Sequence, residues 1–220
     1  VITIGFILSI LGIRGEGTIG LMVISFLWGM GGSFVSLLMS KWLAKRAYGI
    51  KIIDPANSSV DEMRIYEMVR RLAERENMPV PEVGIYDSPE PNAFATGATK
   101  KSSMVAFSTG LLNMMNESEI EAVAGHEISH ISNGDMVTLT LLTGIANAFV
   151  IFLARIIASA INQAMRDNEG GGLGFLAYFL VVSLLETVLM FLAYIPISAF
   201  SRYREYKADA GSAKITSAIS

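Results

Sequence analysis

The sequence predicts an α+β membrane protein, with four transmembrane helices, a small antiparallel sheet and a helix that carries an HExxH motif. Of its 220 residues, 52% are hydrophobic and 17% are charged, and the mean hydropathy is positive. Such a composition is too apolar for an ordinary soluble domain. A soluble part is indicated by one long polar stretch, which contains the pentapeptide HEISH at residues 126–130.

Four apolar stretches predict the transmembrane helices. Thr18 to Ser40 contains no charged residue and is long enough to cross a hydrocarbon core of about 30 Å. Val1 to Ile13 is equally apolar but shorter, so we expect a transmembrane helix that lacks its beginning. Met136 to Met165 and Leu173 to Phe200 are joined by the polar, glycine-rich loop Arg166 to Gly172. This arrangement predicts a helical hairpin in the bilayer.

Basic residues predict the orientation of these helices, because short cytoplasmic flanks are enriched in lysine and arginine. Such residues follow the second and the fourth apolar stretch: Lys41, Lys45, Arg46, Arg202, Arg204 and Lys207. We therefore expect both soluble parts to face the cytoplasm. The predicted domains are residues 1–43 with the first two transmembrane helices, residues 44–135 with the HExxH helix, the hairpin 136–200, and a cytoplasmic helix at 201–220.

The first half of the soluble part predicts one helix and three strands. Ser59 and Glu62 have the spacing of a capping box and mark the beginning of the helix. Strands are predicted at Val83–Tyr86, Asn92–Thr96 and Ser102–Ser108, where short apolar runs lie between prolines and glycines. We expect them to form the small antiparallel sheet.

The second half of the soluble part, from Asn116 to Ser132, predicts the helix that carries HEISH. Ser118 and Glu121 have the spacing of a second capping box, and Gly134 lies just beyond the expected end of the helix. The chain begins inside an apolar run and stops at Ser220 without a terminal signal. We expect it to be part of a longer protein.

The inventory of side chains excludes several kinds of site. The chain has no cysteine and only two histidines, which excludes disulfides, thiolate metal sites and cysteine nucleophiles. Its net charge is −3, and it has no block of basic residues. Nucleic acid is therefore not predicted as a partner.

The HEISH pentapeptide predicts a metal-dependent hydrolytic site. His126 and His130 are four residues apart, so on a helix their rings project from one face and can bind one metal ion. Zinc bound by imidazoles lowers the pKa of its water toward 7, and the neighbouring Glu127 can accept the proton. The alternative is that two histidines pack at a helix end without a metal.

A catalytic zinc normally has three protein ligands, and the inventory leaves only a carboxylate for the third. Asp135 follows His130 too closely to curl back easily, and Glu186 lies deep in an apolar stretch. Glu205 and Asp209 are four residues apart, so one could bind the metal while the other accepts the N–H of a ligating histidine. Alternatively, both acids pair with basic neighbours on a solvated helix.

Four motifs together resemble the HtpX family of membrane zinc metallopeptidases, which is distantly similar to the type 1 CAAX prenyl proteases. They are HEISHISNGD, NAFATG, STGLL and SRYREYKADA. The resemblance implies a gluzincin core with one Zn²⁺ per chain in a multi-pass protein of the inner cell membrane. It implies that His126, His130 and Glu205 are the zinc ligands and that Glu127 is the general base. Asp209, and less strongly Asp135, would orient the ligating histidines.

The stretch NAFATG has two interpretations. In gluzincins the matching stretch is the edge strand on which a substrate backbone adds as an extra strand, so Asn92 and Ala93 are candidate substrate contacts. Alternatively, the stretch is simply a hairpin with a packed Phe94.

Arg155 and Glu186 lie within the third and the fourth apolar stretch, where an unpaired charge is costly. In an antiparallel hairpin the two residues would differ in depth by about 5 Å. We expect an ion pair; the alternative is a role in substrate passage.

The function predicted from these observations is a membrane-bound zinc endopeptidase that acts on misfolded or damaged membrane proteins, the substrates that the resemblance implies. Its partners would then be polypeptides and the lipid bilayer. Two alternatives are a selective processing peptidase and a non-catalytic scaffold in which zinc holds the soluble parts together.

Overall fold

The computed structural model of the chain describes residues 18–169 and 171–216, so the predicted helix Val1 to Ile13 lies outside the described residues. The helices are α1 (Thr18–Tyr48), α2 (Val60–Arg75), α3 (Thr109–Met114), α4 (Glu117–Asn133), α5 (Asp135–Glu169) and α6 (Phe175–Thr216). The strands are β1 (Lys51–Ile52), β2 (Glu82–Tyr86), β3 (Ala93–Thr96) and β4 (Met104–Ser108).

The described part of the chain divides into two compact units. A helical unit contains residues 18–34 and Leu141–Ser198, and a mixed unit contains Val35–Thr140 and residues 199–216. The mixed unit holds the sheet and the helices packed on it.

The sheet of the mixed unit has the strand order β1-β2-β4-β3 and is mixed rather than antiparallel. Strand β1 pairs antiparallel with β2, β2 pairs parallel with β4, and β3 pairs antiparallel with β4. The prediction of a purely antiparallel sheet was therefore wrong. A parallel pair of strands needs a long connection, and β3 with its flanking loops forms the connection from β2 to β4. Strand β4 therefore lies beside β2, and β3 lies at the edge of the sheet.

The core of the mixed unit lies on the face of the sheet that α2 and α4 cover. Val83, Val105 and Phe107 are almost fully buried there with Leu72 of α2 and Ile128 of α4. Burying such side chains contributes about 1.5–3 kcal/mol each, which holds the HEISH helix firmly against the sheet.

The opposite face of the sheet is covered by a smaller cluster. Met104 and Ala106 are buried there, and the rings of Tyr48, Tyr86 and Phe94 lie 5.3–5.7 Å apart. Phe94 is thus packed, as the hairpin interpretation of NAFATG expects. Strand β3 is therefore one arm of a hairpin with β4 and also lies at the edge of the sheet, while substrate binding there stays a prediction.

The helix ends confirm some predicted caps and correct one. Ser59 and Glu62 form the predicted capping box of α2, and Gly134 ends α4 in the left-handed conformation, with φ 70°. The cap of α4 is Asn116 with Glu119, not Ser118 with Glu121. Asparagine is as strong an N-cap as serine and occurs two residues earlier with a glutamate at the required spacing.

Three helices among the described residues are long and apolar enough to cross a membrane: α1, α5 and α6. All three are longer than predicted: α1 continues to Tyr48, α5 continues to Glu169 into the predicted loop, and α6 runs without interruption to Thr216. The segment predicted as a separate helix at 201–220 is, as far as Thr216, the end of α6.

Within the helical unit, close packing and one ion pair connect neighbouring helices. A Cβ at Gly29 would lie 2.3 Å from the backbone nitrogen of Ala148, so α1 and α5 approach backbone to backbone. Arg155 Nη1 lies 2.7 Å from Glu186 Oε1, which confirms the predicted pair between α5 and α6.

Candidate metal centre

The centre is built where α4 and the last turns of α6 pack against each other. Glycines permit the close approach, because they have no Cβ to separate the two backbones. A Cβ at Gly211 would lie 2.6 Å from Ser129 Oγ, and a Cβ at Gly125 would lie 2.9 Å from Ser212 Oγ. The Ser212 hydroxyl also donates to the Ala122 carbonyl at 2.7 Å. These contacts fix α6 beside the helix that carries both histidines.

Three side chains converge between the two helices. The Nε2 atoms of His126 and His130 are 3.0 Å apart. Glu205 Oε2 lies 3.3 Å from the first and 3.5 Å from the second. Two imidazole nitrogens and one carboxylate oxygen thus face one point, with all candidate ligand atoms within 4.8 Å of one another.

The position of the proton on each imidazole ring indicates whether a metal ion fits between the three side chains. His126 Nδ1 lies 2.8 Å from Asp209 Oδ1, and His130 Nδ1 lies 2.6 Å from Asp135 Oδ2. A carboxylate only accepts hydrogen bonds, so these partners assign the ring proton of each neutral imidazole to Nδ1. Both Nε2 atoms then present lone pairs to each other and to a carboxylate oxygen, an arrangement that a cation would stabilise.

A second proton on an imidazole ring would also supply positive charge at this position, but burial disfavours the charged ring. His130 is buried, and its burial lowers its pKa below the ordinary value for histidine. A donor set of two neutral imidazoles and one carboxylate is that of many catalytic zinc sites. The residues present therefore fit a divalent metal ion.

The carboxylates that hold the two rings differ in their surroundings. Asp209 is on α6, four residues after Glu205, and its side chain is 68% exposed. Asp135 is the first residue of α5 and is buried. Its other oxygen, Oδ1, lies 3.0 Å from Nε of Arg204, a residue that sequence reasoning had placed only among the cytoplasmic basic flanks.

Glu127 lies between the histidines in sequence and points toward the sheet. The backbone N–H of Ala95 in β3 lies near its carboxylate and lowers its pKa. Burial raises the pKa of Glu127 to about 7, against the opposing effects of His126 and the Ala95 N–H. A carboxyl group with a pKa in this range can exchange a proton near neutral pH, and a divalent cation nearby would favour its ionised form.

Strand β3 lies at the edge of the sheet on this side of α4, and within residues 18–169 and 171–216 no second strand pairs with it. The Asn92 carbonyl accepts from the Ser108 N–H at 2.9 Å, so it faces β4. Because backbone groups alternate in direction along an antiparallel strand, those of Ala93 and Ala95 face away from β4. This agrees with the contact between Ala95 and Glu127 and leaves the Ala93 backbone directed toward the edge.

A cavity of about 200 Å³ adjoins the centre. It lies between the loop that follows β3 and the beginning of α5, and its lining includes Thr96, Ala98, His130 and Met136. A larger cavity of about 430 Å³ is lined by residues of α2, α3 and the beginning of α4 and contains none of the residues of the centre.

The structure thus brings together His126, His130 and Glu205, with Asp209 and Asp135 on the far sides of the two rings. Glu127 and the edge of β3 lie on the same helix–sheet boundary. Arg204 is the residue that sequence reasoning missed. Its only signal in the sequence is its place next to the candidate ligand Glu205 in SRYREYKADA.

A metallopeptidase carried on membrane-spanning helices is the class that this fold and this centre define. Residues 59–219 match peptidase family M48, and the chain belongs to that family. It is 48% identical over 214 residues to the protein named Protease HtpX from Idiomarina loihiensis, covering 97% of this chain and 73% of that one. It is 49% identical over 215 residues to Protease HtpX from Glaesserella parasuis, covering 97% and 75%. The predicted resemblance to the HtpX family is confirmed.

A solved structure shows the same fold at greater distance. The crystal structure of S. mikatae Ste24p superimposes with a TM-score of 0.65 at 20% sequence identity. The match covers 89% of this chain and 48% of Ste24p, so the chain spans about half the length of that protein.

Proposed function

We propose that the chain is a zinc endopeptidase of the inner membrane, whose metal ligands are His126, His130 and Glu205 and whose general base is Glu127. The observation that carries the proposal is the convergence of two Nε2 lone pairs and one carboxylate oxygen on a single point. When bound, zinc polarises a carbonyl and lowers the pKa of water, which is the chemistry that peptide hydrolysis requires.

The residues around the metal have separate roles in this proposal. Asp209 and Asp135 hold the two rings in the tautomer that presents Nε2. Glu127 takes the proton of the attacking water and returns it to the leaving amine nitrogen, the transfer that a positioned carboxylate performs in general acid–base catalysis. The Ala95 N–H steadies the Glu127 carboxylate at the edge of the sheet.

The substrate would bind as an extra strand along β3. The Ala93 backbone faces the free edge, and Asn92 is exposed beside it. Pairing of this kind relies on main-chain hydrogen bonds and therefore tolerates many side chains. It suits extended, unfolded segments, which supports misfolded or damaged membrane proteins as the substrate class.

The orientation proposed from the sequence places the mixed unit in the cytoplasm. Lys41, Lys45 and Arg46 follow the apolar part of α1, and Arg202 and Lys207 follow that of α6. Such residues favour the cytoplasmic side of a membrane.

The chemical role is tested with Glu127→Gln. Cleavage of an unfolded test protein by the purified chain in detergent should fall by about 10²–10⁴-fold, because a positioned general base contributes that much. Zinc content should be unchanged. The matched control is Glu117→Gln, an exposed acid in the first turn of α4, which should cleave normally.

Two other outcomes have separate meanings. Equal cleavage by wild type and Glu127→Gln would refute the proposed role of Glu127. If both bound zinc and neither cleaved, the metal would have a structural role, as in the scaffold alternative.

A further inference from the structure

Arg204 is a charged residue in the interior of the mixed unit. Its side chain is 8% exposed, although its sequence neighbours Tyr203 and Glu205 are exposed. Arginine is rarely buried to this extent unless its charge is paired. Its partner is Asp135, whose side chain is 6% exposed.

The pair continues directly into the metal centre. Arg204 Nε lies 3.0 Å from Asp135 Oδ1 in an ion pair that lacks hydrogen-bond geometry, and Asp135 Oδ2 lies 2.6 Å from Nδ1 of His130. The guanidinium also lies over the ring of Phe200, with its Cζ 5.8 Å from the ring centroid. A buried row of three groups thus leads from α6 through the beginning of α5 to a ligand on α4.

We propose that Arg204 is a positioning residue, whose charge attracts one oxygen of the Asp135 carboxylate and so keeps the other oxygen on Nδ1 of His130, with Nε2 directed at the metal. This inference rests on the proposed metal centre. Without the guanidinium, the second oxygen of Asp135 would lose its charged partner, and the carboxylate could rotate away from Nδ1. His130 would then sample other ring orientations, and the metal would bind less tightly.

The other histidine provides a contrast within the same site. Its partner, Asp209, is largely exposed to solvent, whereas the partner of His130 is clamped in the interior. The rigid half of the centre is therefore His130, and Arg204 sets its geometry. Arg204 and Glu205 are adjacent on α6, so the same helical turn supplies both the carboxylate ligand and the clamp.

A purely structural role would have a different consequence. A buried ion pair contributes little net stability, while the loss of one partner destabilises the fold by leaving the other charge unpaired. If Arg204 had only this structural role, its loss would lower the melting temperature. Any change in metal affinity would then be the same whether or not Asp135 was present. A double-mutant cycle separates the two roles.

The experiment uses the full chain in detergent with Zn²⁺ in competition with a chromogenic chelator. Arg204→Met and Asp135→Ala should each weaken zinc binding by about 10–100-fold, as the loss of outer partners of metal ligands does. The double variant should bind no more weakly than the weaker single variant, to within about twofold. The control Arg202→Met removes an exposed charge on the same helix and should bind zinc like the wild type.

A second variant and a second measurement apply if Arg204→Met does not fold. Arg204→Lys keeps the charge but loses the planar fork, so it should fold and bind zinc with intermediate affinity. The chain has only two histidines, so ¹⁵N-histidine spectra of the metal-free protein are simple to assign. They should show His130 protonated at Nδ1 in the wild type and mixed tautomers in Arg204→Lys.

Three results would overturn the inference: unchanged zinc affinity in a folded Arg204 variant, losses that multiply in the double variant, or an unchanged His130 tautomer in Arg204→Lys. If the wild type itself bound no zinc, the proposed metal centre would fail, and that failure is distinct from failure of the clamp.

Discussion

At the residue scale, the orientation of each imidazole depends on the group behind it. His126 is the half-buried member of the pair, and its Nδ1 faces Asp209 at 2.8 Å. An imidazole with a free Nδ1 can present either nitrogen, and only one of the two tautomers directs a lone pair at the metal. We therefore expect Asp209 to contribute to metal binding without contacting the metal.

We predict that Asp209→Ala weakens zinc binding by about 10–100-fold. Asp209→Asn should lose less, because its amide oxygen still accepts the Nδ1 proton. The measurement is zinc affinity by chelator competition, with Lys207→Ala as the control on the exposed side of the same helix. Wild-type affinity in Asp209→Ala would show that the hydrogen bond is incidental.

Much of the centre could be predicted from the sequence, because the inventory is so restrictive. Two histidines four residues apart with no cysteine require a carboxylate as the third ligand. Arg204 could not be predicted in the same way. It lies in a basic run, and only the packing of α6 decides which member of that run is buried.

At the element scale, the spacing between α4 and α6 sets the distance from the histidines to Glu205. A Cβ at Gly211 would lie 2.6 Å from Ser129 Oγ and 3.0 Å from Ser129 Cβ, so a larger residue requires Ser129 or the helix itself to move. Glycine here serves close approach rather than an unusual backbone angle.

We predict that Gly211→Val lowers zinc affinity and the melting temperature of the purified chain together. Forcing extra methyl groups into a tight contact costs about 1–3 kcal/mol, and the displaced helix carries Glu205 away from the histidines. Ala210→Val adds comparable bulk at the neighbouring, exposed position and should change neither property. Equal effects of the two variants would refute the packing argument.

The sequence pattern predicted one strand of the sheet well and gave no signal for another. The run at residues 104–108 was correctly expected to be a strand, and all five of its residues are buried. Burial on both faces is typical of an interior strand with a parallel neighbour. The apolar run at these residues was therefore consistent with a strand in the middle of the sheet. Strand β1 has only two residues, too few to give a periodic pattern.

At the scale of the whole molecule, the proposed orientation makes a prediction about access from the two sides of the membrane. The chain contains no cysteine, so single cysteines report their own surroundings. Lys101 lies in the mixed unit, Gly171 lies in the loop between α5 and α6, and both are exposed.

We expect Gly171→Cys to react with a membrane-impermeant thiol reagent added to spheroplasts. Lys101→Cys should react only after the cells are opened, because the basic flanks of α1 and α6 favour the cytoplasm. The reversed labelling pattern would place the mixed unit on the outer side.

The central claim is that Glu205 completes a metal centre with His126 and His130, and it is tested most directly by the zinc bound to purified variants. We predict one zinc per chain in the wild type. In Glu205→Ala the affinity should fall by more than the roughly 10–100-fold loss expected for an outer partner, whereas Glu117→Ala should behave like the wild type. Undiminished zinc binding by a folded Glu205→Ala variant would contradict the proposed ligand set.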